Sequence, residues 1–233
     1  MTRPHLAYDC LEMSSHGKDA TKKDLKAINK IIKKAKEHES KIKYSRIGNL
    51  EDLKILAVTD GAYLKLEEKT KSVSGRFIFL SNKEETRVVP LMWKSKSIPT
   101  VCKSAKDAET RAADKTIEDA IYVARGIREI YTGDRGEAQI PVDVVTDSKP
   151  LIDSVNSSKQ VDNKLLRPVI KYMKQMLDSK MIKSLRWCDT NVCVADILTK
   201  RGSPLTAKVM SILHSNEMVD LSRHLKKRTQ GEH

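Results

Sequence analysis

Four acidic residues stand where a folded chain is expected to bring them together. Asp60 follows the apolar run LKILAVT, and Asp147 follows the Val/Ile-rich run IPVDVVT. Glu109 lies on the small-residue stripe of a predicted helix, and Asp196 lies in the first turn of a predicted short helix. Carboxylates at one place raise each other's pKa values, and divalent cations remove that penalty. The four acids therefore predict a site for two Mg²⁺ ions, with Mn²⁺ as an expected substitute, that can support phosphodiester hydrolysis.

Each of these acids also has a structural interpretation. Asp60 precedes a glycine, as in a turn, and Glu109 suits a helix surface. Asp147 with Ser148 suits a helix cap, and so does Asp196. The order of the surrounding elements favours a shared site, because ligands of open α/β sheets bind beyond the carboxyl ends of strands where the strand order reverses.

The elements that must position these acids follow from the hydrophobic pattern. Three short runs rich in β-branched and aromatic residues predict an antiparallel meander: LKILAVTD, GRFIFLS and TRVVPLMWKS. A long helix follows, with a stripe of small residues that lets it lie close to the sheet: Ala105, Ala112, Thr116, Ala120 and Ala124. The Val/Ile run before Asp147 is typical of a central parallel strand.

A helix over 149–156, a basic helix starting at Arg167, a strand in IKSLRWCD and a final short helix in VADILTK complete the predicted order. Asp60 and Asp147 are expected at the carboxyl ends of the two central strands. We therefore expect an α/β fold with a mixed five-stranded sheet, in which three antiparallel strands precede the parallel ones, flanked by helices.

The chain divides into three predicted regions. Residues 1–48 form a helical arm, in which apolar residues share one helix face and lysines fill the others: Leu25, Ile28, Ile32 and Ala35. This helix suits either a solvated surface or contact with phosphates. Residues 49–215 form the α/β domain, and residues 216–233 form a basic, frayed tail.

Composition limits the partners. The 233 residues carry a formal charge of +13, which predicts attraction to a polyanion such as nucleic acid or an acidic membrane surface. Aromatic residues make up only 4%, against a single-strand stacking platform. The four cysteines show neither zinc-site nor disulfide spacing, and no apolar run is long enough to cross a membrane. We expect no membrane insertion and an intracellular protein.

One basic stripe is a candidate phosphate contact. Four cations recur at 3,4,3 spacing in the predicted basic helix: Lys164, Arg167, Lys171 and Lys174. This spacing suits either a row of phosphate contacts or a solvated helix face.

Several motifs resemble the ribonuclease H domain of copia-type LTR retrotransposon polyproteins. The stretch KTKSVSGRFIFLSNKEETRVVPLMWKSKSIPTVCKSAKDAET is similar to that family's Ser-Gly strand, "W-K-S-K" strand and "S-x-x-x-A-E" helix. VVTDSKPLIDSV and VADILTKRGSP resemble the segments around the third and fourth acids. TRPHLAY resembles a run near the end of the reverse transcriptase, so the arm resembles a thumb or connection fragment. The resemblance covers most of the chain.

This resemblance implies a ribonuclease H-like sheet and a metal-binding tetrad of Asp60, Glu109, Asp147 and Asp196. The implied reaction is Mg²⁺-dependent cleavage of the RNA strand of an RNA–DNA hybrid during reverse transcription, leaving 3′-hydroxyl and 5′-phosphate ends. The implied partner is the reverse-transcriptase polymerase domain of the same polyprotein. The implied location is a cytoplasmic retrotransposon particle or the nucleus, and the oligomeric state stays open.

Residues beside the acids are candidate substrate contacts. Gly61 and Ser148 are expected to contact 2′-hydroxyls and the scissile backbone. Ser148 replaces the family's usual Asn. The flexible His of many cellular ribonucleases H is not identifiable near Asp196, which leaves Lys200 or a water to assist product release. Two alternatives stay open: an inactive or domesticated nucleic-acid-binding module, and the integrase or DNA exonuclease reaction on the same fold.

Overall fold

A single mixed sheet organises the described part of the chain. The structure is a computed structural model that describes residues 3–16, 20–37, 41–66, 70–133, 140–159, 161 and 163–218. The strands are β1 (Leu53–Leu66), β2 (Lys71–Asn82), β3 (Val88–Ser97), β4 (Val142–Thr146) and β5 (Ser184–Trp187). They lie in the order β3-β2-β1-β4-β5, antiparallel from β3 to β1 and parallel from β1 to β5. The predicted mixed five-stranded sheet is confirmed.

Helices flank this sheet. They are α1 (Ala7–Ser15), α2 (Lys22–Glu37), α3 (Ala105–Thr132), α4 (Lys149–Asn156), α5 (Arg167–Asp178) and α6 (Thr206–Ser215). Ser104 caps α3 by accepting a hydrogen bond from the backbone N–H of Asp107, and Gly133 ends the helix in a left-handed conformation. As the sequence predicts, α5 begins at Arg167, with Pro168 in its first turn where a missing N–H does no harm.

Alternation along β1 places a core on each face of the sheet. Ile55 and Ala57 pack against Ile117 of α3, together with side chains of α4 and α5. Leu56 and Val58 point to the other face, where the 194–198 turn and α6 cover them. Because side chains of a strand alternate between faces, one strand supplies both cores.

The predicted segments differ from the structure in four places. β1 does not end at Asp60 but continues to Leu66, because it stays paired with β2 after its pairing with β4 stops at Thr59. VADILTK forms a 3₁₀ turn over Val194–Leu198, and α6, which the sequence analysis missed, follows it. Lys164 lies before α5, so the stripe's helical spacing applies only from Arg167 onward. Ala105, at the start of the small-residue stripe, is exposed.

The described part of the arm has two helices. α1 is partly buried, whereas Leu25, Ile28 and Ile32 of α2 stay exposed. Most of the predicted basic tail, residues 219–233, lies outside the described residues. Among the helices described, none has the length and apolar character needed to span a membrane.

Candidate active site

The end of the parallel pairing between β1 and β4 brings two acids together. The last parallel pair is Thr59 of β1 with Thr146 of β4, and Asp60 and Asp147 are the residues that follow them. β1 then continues alongside β2, whereas the chain after Asp147 turns away into α4. A gap therefore opens between the two strands beside both carboxylates.

Helix α3 delivers the third acid. One carboxylate oxygen from each of Asp60, Glu109 and Asp147 lies within 4.8 Å of the other two. The backbone N–H of Gly61 donates to Oε2 of Glu109 at 2.9 Å. A Cβ at position 61 would lie 2.6 Å from the Cα of Glu109, so only glycine lets α3 approach β1 this closely. We call Asp60, Glu109 and Asp147 the acidic triad.

The fourth predicted acid lies beside the triad on a 3₁₀ turn. Asp196 is 5% exposed, and its Oδ1 accepts a hydrogen bond from Nζ of Lys200. Thr199, on the same turn, donates its hydroxyl to Oδ2 of Asp60. The turn can lie against β2 because residue 75 is glycine: a Cβ there would be 2.6 Å from Cγ2 of Thr199.

Asp147 is held by the last residue of β5 and by the turn that follows it. Its Oδ2 accepts a hydrogen bond from the hydroxyl of Thr190 at 2.9 Å, and its carbonyl oxygen accepts one from Nε1 of Trp187 at 3.0 Å. Within the described part of the chain, its buried Oδ1 has no hydrogen-bond partner. A buried carboxylate oxygen without a partner is costly and marks a place for a cation.

The pKa values of the acidic triad are raised, as expected for buried acids that lack a compensating positive charge. Burial, and then the neighbouring charge of Asp147, raises the pKa of Asp60 to about 6. Burial, followed by the charges of Asp60 and Asp147, raises the pKa of Glu109 to about 9. Burial also raises the pKa of Asp147. Ionisation of each of these carboxyl groups is therefore disfavoured while no cation is bound.

Lys200 is the protein's own cation at this place. Burial alone would lower its pKa, but the hydrogen bond to Asp196 and the charges of Asp60 and Asp147 raise it above the ordinary value. Its charge in turn lowers the pKa values of Asp60, Glu109 and Asp147 without cancelling the effect of burial. One ammonium does not balance the charge of four acids.

The residues present fit a divalent cation. Oxygen ligands are what Mg²⁺ and Mn²⁺ prefer, and the acidic triad offers three carboxylates close enough to share one ion. The partnerless Oδ1 of Asp147 supplies a ready ligand atom. The acidic triad is therefore a candidate divalent-metal site, with Asp196 at its side.

Two predicted substrate contacts lie next to the triad. Ser148 is buried and precedes α4 as its N-cap residue, and its backbone N–H donates to the hydroxyl of Thr146 at 3.2 Å. The N–H of Gly61 is used by Glu109, as described above. Contact of either residue with a nucleic acid stays a prediction.

Three of the four residues of the predicted basic stripe, Arg167, Lys171 and Lys174, line a groove of about 550 Å³. Nε of Arg167 donates to the carbonyl of Val161 at 2.6 Å, and Nζ of Lys174 donates to the carbonyl of Ser157. Carbonyls orient these cations without neutralising them. Lys171 is exposed on the same helix, and Lys164 is exposed in the preceding turn.

A second groove, of about 440 Å³, extends the first toward the triad. Lys159 and Val161 line both grooves, and Lys106 lines the second. Lys106 lies one helical turn before Glu109. A basic path therefore leads from beside the acidic triad to α5, and we call these two connected grooves the basic groove.

Sequence reasoning missed several residues that shape the site. Thr190 and Thr199 hold Asp147 and Asp60, Gly75 admits the 3₁₀ turn, and Lys106 and Lys159 belong to the basic groove. Thr199 lies three residues after Asp196, the one local signal that could have drawn attention to it. The others are brought in by pairing and packing between distant segments.

The strand order, with three antiparallel strands leading into two parallel ones, and the acids at the β1–β4 edge define a ribonuclease H-like fold. No family model matches the sequence, and no curated protein matches it.

Solved structures with similar folds include ribonucleases H. The N-terminal RNase H domain of a Mycobacterium tuberculosis protein is 16% identical, with a TM-score of 0.43, over 67% of this chain and 98% of that one. LC11-RNase H1, in complex with an RNA/DNA hybrid, is 17% identical, with a TM-score of 0.42, over 62% of this chain and 93% of its own. RNase H1 from the archaeon Halobacterium salinarum is 12% identical, with a TM-score of 0.39, over 59% and 85%. Since these TM-scores lie below 0.5, function must be inferred from the site itself.

Proposed function

We propose that this protein is a divalent-metal-dependent endonuclease that hydrolyses the RNA strand of RNA–DNA hybrids. The observation that carries the proposal is the acidic triad, whose carboxylate oxygens lie within 4.8 Å of one another at the β1–β4 edge. The motif resemblance described above supports the choice of substrate. Asp196 completes the proposed tetrad from the 3₁₀ turn.

The chain's own residues hold the tetrad in place. Thr199 orients Asp60, Thr190 orients Asp147, and the N–H of Gly61 orients Glu109. Mg²⁺ bound to these carboxylates would supply an activated water and would stabilise the charge that develops on the phosphodiester. Two ions are proposed, with Mn²⁺ as a substitute, and Lys200 is proposed to assist release of the cleaved end.

The basic groove is proposed to bind the sugar–phosphate backbone. Lys106, Lys159, Arg167, Lys171 and Lys174 line it, and among the described residues that line it Asp153 is the one acid. Cations along a groove that leads to the triad would hold the duplex by its phosphates, whereas Ser148 and Gly61 are proposed to contact the strand that is cut. Lys164, exposed in the turn before α5, is proposed as a further phosphate contact. Phosphate contacts of this kind weaken as salt concentration rises.

We further propose a role in reverse transcription of a copia-type retrotransposon. The quoted motifs support this context, with the polymerase domain of the same polyprotein as partner and a cytoplasmic particle or the nucleus as the location. The basic pI of about 9.5 suits a nucleic-acid partner.

A cleavage assay tests the function. The purified protein is incubated at low salt with an end-labelled RNA–DNA hybrid, duplex DNA or single-stranded RNA, with either Mg²⁺ or EDTA. The variants are Asp60→Asn and, as a matched control, Asp52→Asn, which removes an exposed acid next to β1 that pairs with Lys83. We expect the RNA strand of the hybrid to be cut in Mg²⁺ by the wild type and by Asp52→Asn, and not by Asp60→Asn.

The other outcomes point to the alternatives. Equal binding of hybrid in Mg²⁺ and EDTA, with no cleavage by any variant, would favour a binding module. Metal-dependent cleavage of duplex DNA would favour an integrase-like or exonuclease-like reaction.

A further inference from the structure

The N-terminal helix is built into the part of the molecule that carries the acids. Ala7 is 5% exposed and belongs to the same core as Val194, Ala195 and Leu198 of the 3₁₀ turn. Tyr8 is 6% exposed and packs against Ala62, Leu66 and Val73, on the paired extension of β1 and β2 beyond Asp60. Helix α1 therefore contacts both segments that flank the acidic triad.

A charged contact ties α1 to the residue that follows Lys200. Nε of Arg201 lies 3.1 Å from Oδ1 of Asp9, and its NH2 group donates to Glu12. The Asp9 side chain is only 8% exposed, and Nζ of Lys34 from α2 lies 3.3 Å from its other oxygen. Because the Asp9 carboxylate is buried, loss of either cation would leave its charge poorly compensated, which favours keeping Arg201 and Lys34 in place.

The turn that carries Asp196 depends on outside contacts for its shape. It is a 3₁₀ segment of five residues, and such segments have poorer hydrogen-bond geometry than an α-helix. Its last bonds run from the N–H groups of Thr199 and Lys200 to the carbonyl of Asp196. Arg201 comes directly after these bonds, so its anchorage to α1 limits how far the turn can move.

We propose that Asp9 and Arg201 are positioning residues for the nuclease, and that α1 is a working part of the catalytic domain. The ion pair holds the turn so that Asp196 faces the acidic triad, Thr199 reaches Asp60 and Lys200 reaches Asp196. This inference rests on the proposed function for its catalytic consequence. Its structural consequence, an anchored 194–201 segment, stands independently of any activity.

The test uses the full chain and four variants. Arg201→Gln and Asp9→Asn each remove one side of the pair, and Arg201→Lys keeps the charge as a conservative rescue. Arg46→Gln is the matched control, because Arg46 is exposed and donates to Asn49 rather than to α1. For each variant, amide hydrogen exchange is followed in EDTA, and kcat and KM for the hybrid are measured in Mg²⁺.

We expect Arg201→Gln and Asp9→Asn to speed exchange in residues 194–201 by about 10-fold, while exchange in β1 and β4 stays unchanged. We expect kcat to fall by about 10- to 100-fold with KM within about twofold, because a displacement of about 1 Å in a catalytic group has effects of this size. Arg201→Lys should recover most of both losses, and Arg46→Gln should match the wild type.

Two results would overturn the proposal. One is unchanged exchange in residues 194–201 in both variants. The other is faster exchange throughout the sheet, with kcat reduced only in proportion to the unfolded fraction, since this would make the pair a general stabiliser. A wild type without any cleavage would reject the nuclease function instead, and the exchange data would still decide whether α1 anchors the turn.

Discussion

Strands β1 and β4 carry buried charged residues at both of their ends. The two ends differ in how far that charge is compensated by neighbouring groups. At one end lies the acidic triad, whose three acids, with Asp196 as a fourth, face the ammonium of Lys200. At the other end, Nζ of Lys54 on β1 lies 2.6 Å from Glu85 and 2.9 Å from Asp143 on β4. Arg186 of β5 binds the same Glu85. We call these two acids and two cations the balanced cluster.

The pKa values of the two ends move in opposite directions. Burial alone would raise the pKa of Asp143, but hydrogen bonds from Ser184 and Lys54 hold it below its usual value. The pKa of Asp60 instead rises to about 6 because burial is not offset. Lys54, Glu85, Asp143 and Asp60 are all buried, so burial alone does not mark a functional site. What marks it is buried charge that the protein leaves uncompensated.

The largest expected difference concerns catalysis at the acidic triad. Asp60→Asn should lower the rate of hybrid cleavage by about 10³-fold or more, because the proposed mechanism needs Asp60 as a metal ligand. At pH 7.5 in EDTA the same change should raise the free energy of unfolding by about 2 kcal/mol, since it removes an unfavourable buried charge. Single-turnover kinetics and urea denaturation measure the two effects. A variant that loses stability and activity together would remove the contrast between the two ends.

The balanced cluster should respond in the reverse way. Lys54→Met should lower the free energy of unfolding by about 3–5 kcal/mol, because it leaves two buried carboxylates to one guanidinium. Urea denaturation measures the loss. Lys83→Met is the control: its pair with Asp52 is exposed on both sides, so a change within about 0.5 kcal/mol is expected. Equal effects of the two lysine variants would contradict a structural role for the cluster.

Stability should fall as pH rises when no metal is bound. Glu109 has an ordinary pKa of 4.5 that rises to about 9 in the folded protein, and the pKa of Asp60 rises from 3.8 to about 6. The folded state therefore binds more protons than the unfolded state between these pKa values. The contribution of these two groups to the free energy of unfolding is full below about pH 4 and disappears toward pH 9.

Mg²⁺ should reverse this trend by binding the ionised carboxylates. At a concentration of about 100 times its Kd, Mg²⁺ should raise the free energy of unfolding at pH 8 by about 2.7 kcal/mol. Urea titrations at pH 5, 7 and 9, with Mg²⁺ or EDTA, test both signs. If the free energy of unfolding falls as steeply with pH in Asp60→Asn as in the wild type, the pH dependence originates outside the acidic triad.

The smallest expected effect concerns the approach of α3 to β1. Gly61→Ala should destabilise the protein by about 1–3 kcal/mol, because its Cβ would meet the Glu109 backbone at 2.6 Å. Gly126→Ala is the matched control: it lies in α3 with nothing within 4 Å of its Cβ, so stability should stay equal or rise by up to about 1 kcal/mol. Thermal unfolding compares them. Similar Tm values for both variants would mean that α3 can shift without cost.

Local patterns were enough to predict the sheet and the meeting of Asp60 with Asp147. Runs rich in β-branched and aromatic residues identify the strands, and parallel neighbours end at the same edge, so the acids after them are expected to converge. The extension of β1 beyond Asp60 was not foreseen, because Gly61 reads as a turn when pairing with β2 is not known. Gly61 instead serves the close packing of α3.

Contacts between segments far apart in the chain could not be predicted from the sequence. Arg201 meets Asp9 across 192 positions, Thr199 meets Asp60 across 139, and Lys54 meets Asp143 across 89. No periodicity or motif links such pairs. The sequence therefore indicated which acids converge, but not which groups hold or neutralise them.

The most direct test is to locate a divalent cation. Crystals of the wild type and of Asp60→Asn are soaked in Mn²⁺, and anomalous difference maps are calculated. We predict a peak in the wild type at about 2.0–2.2 Å from carboxylate oxygens of Asp60, Glu109 and Asp147, no such peak in Asp60→Asn, and none at the balanced cluster in either. A wild-type map without a peak at the acidic triad, or with Mn²⁺ at Glu85 and Asp143 instead, would contradict the claim that uncompensated charge marks the metal site.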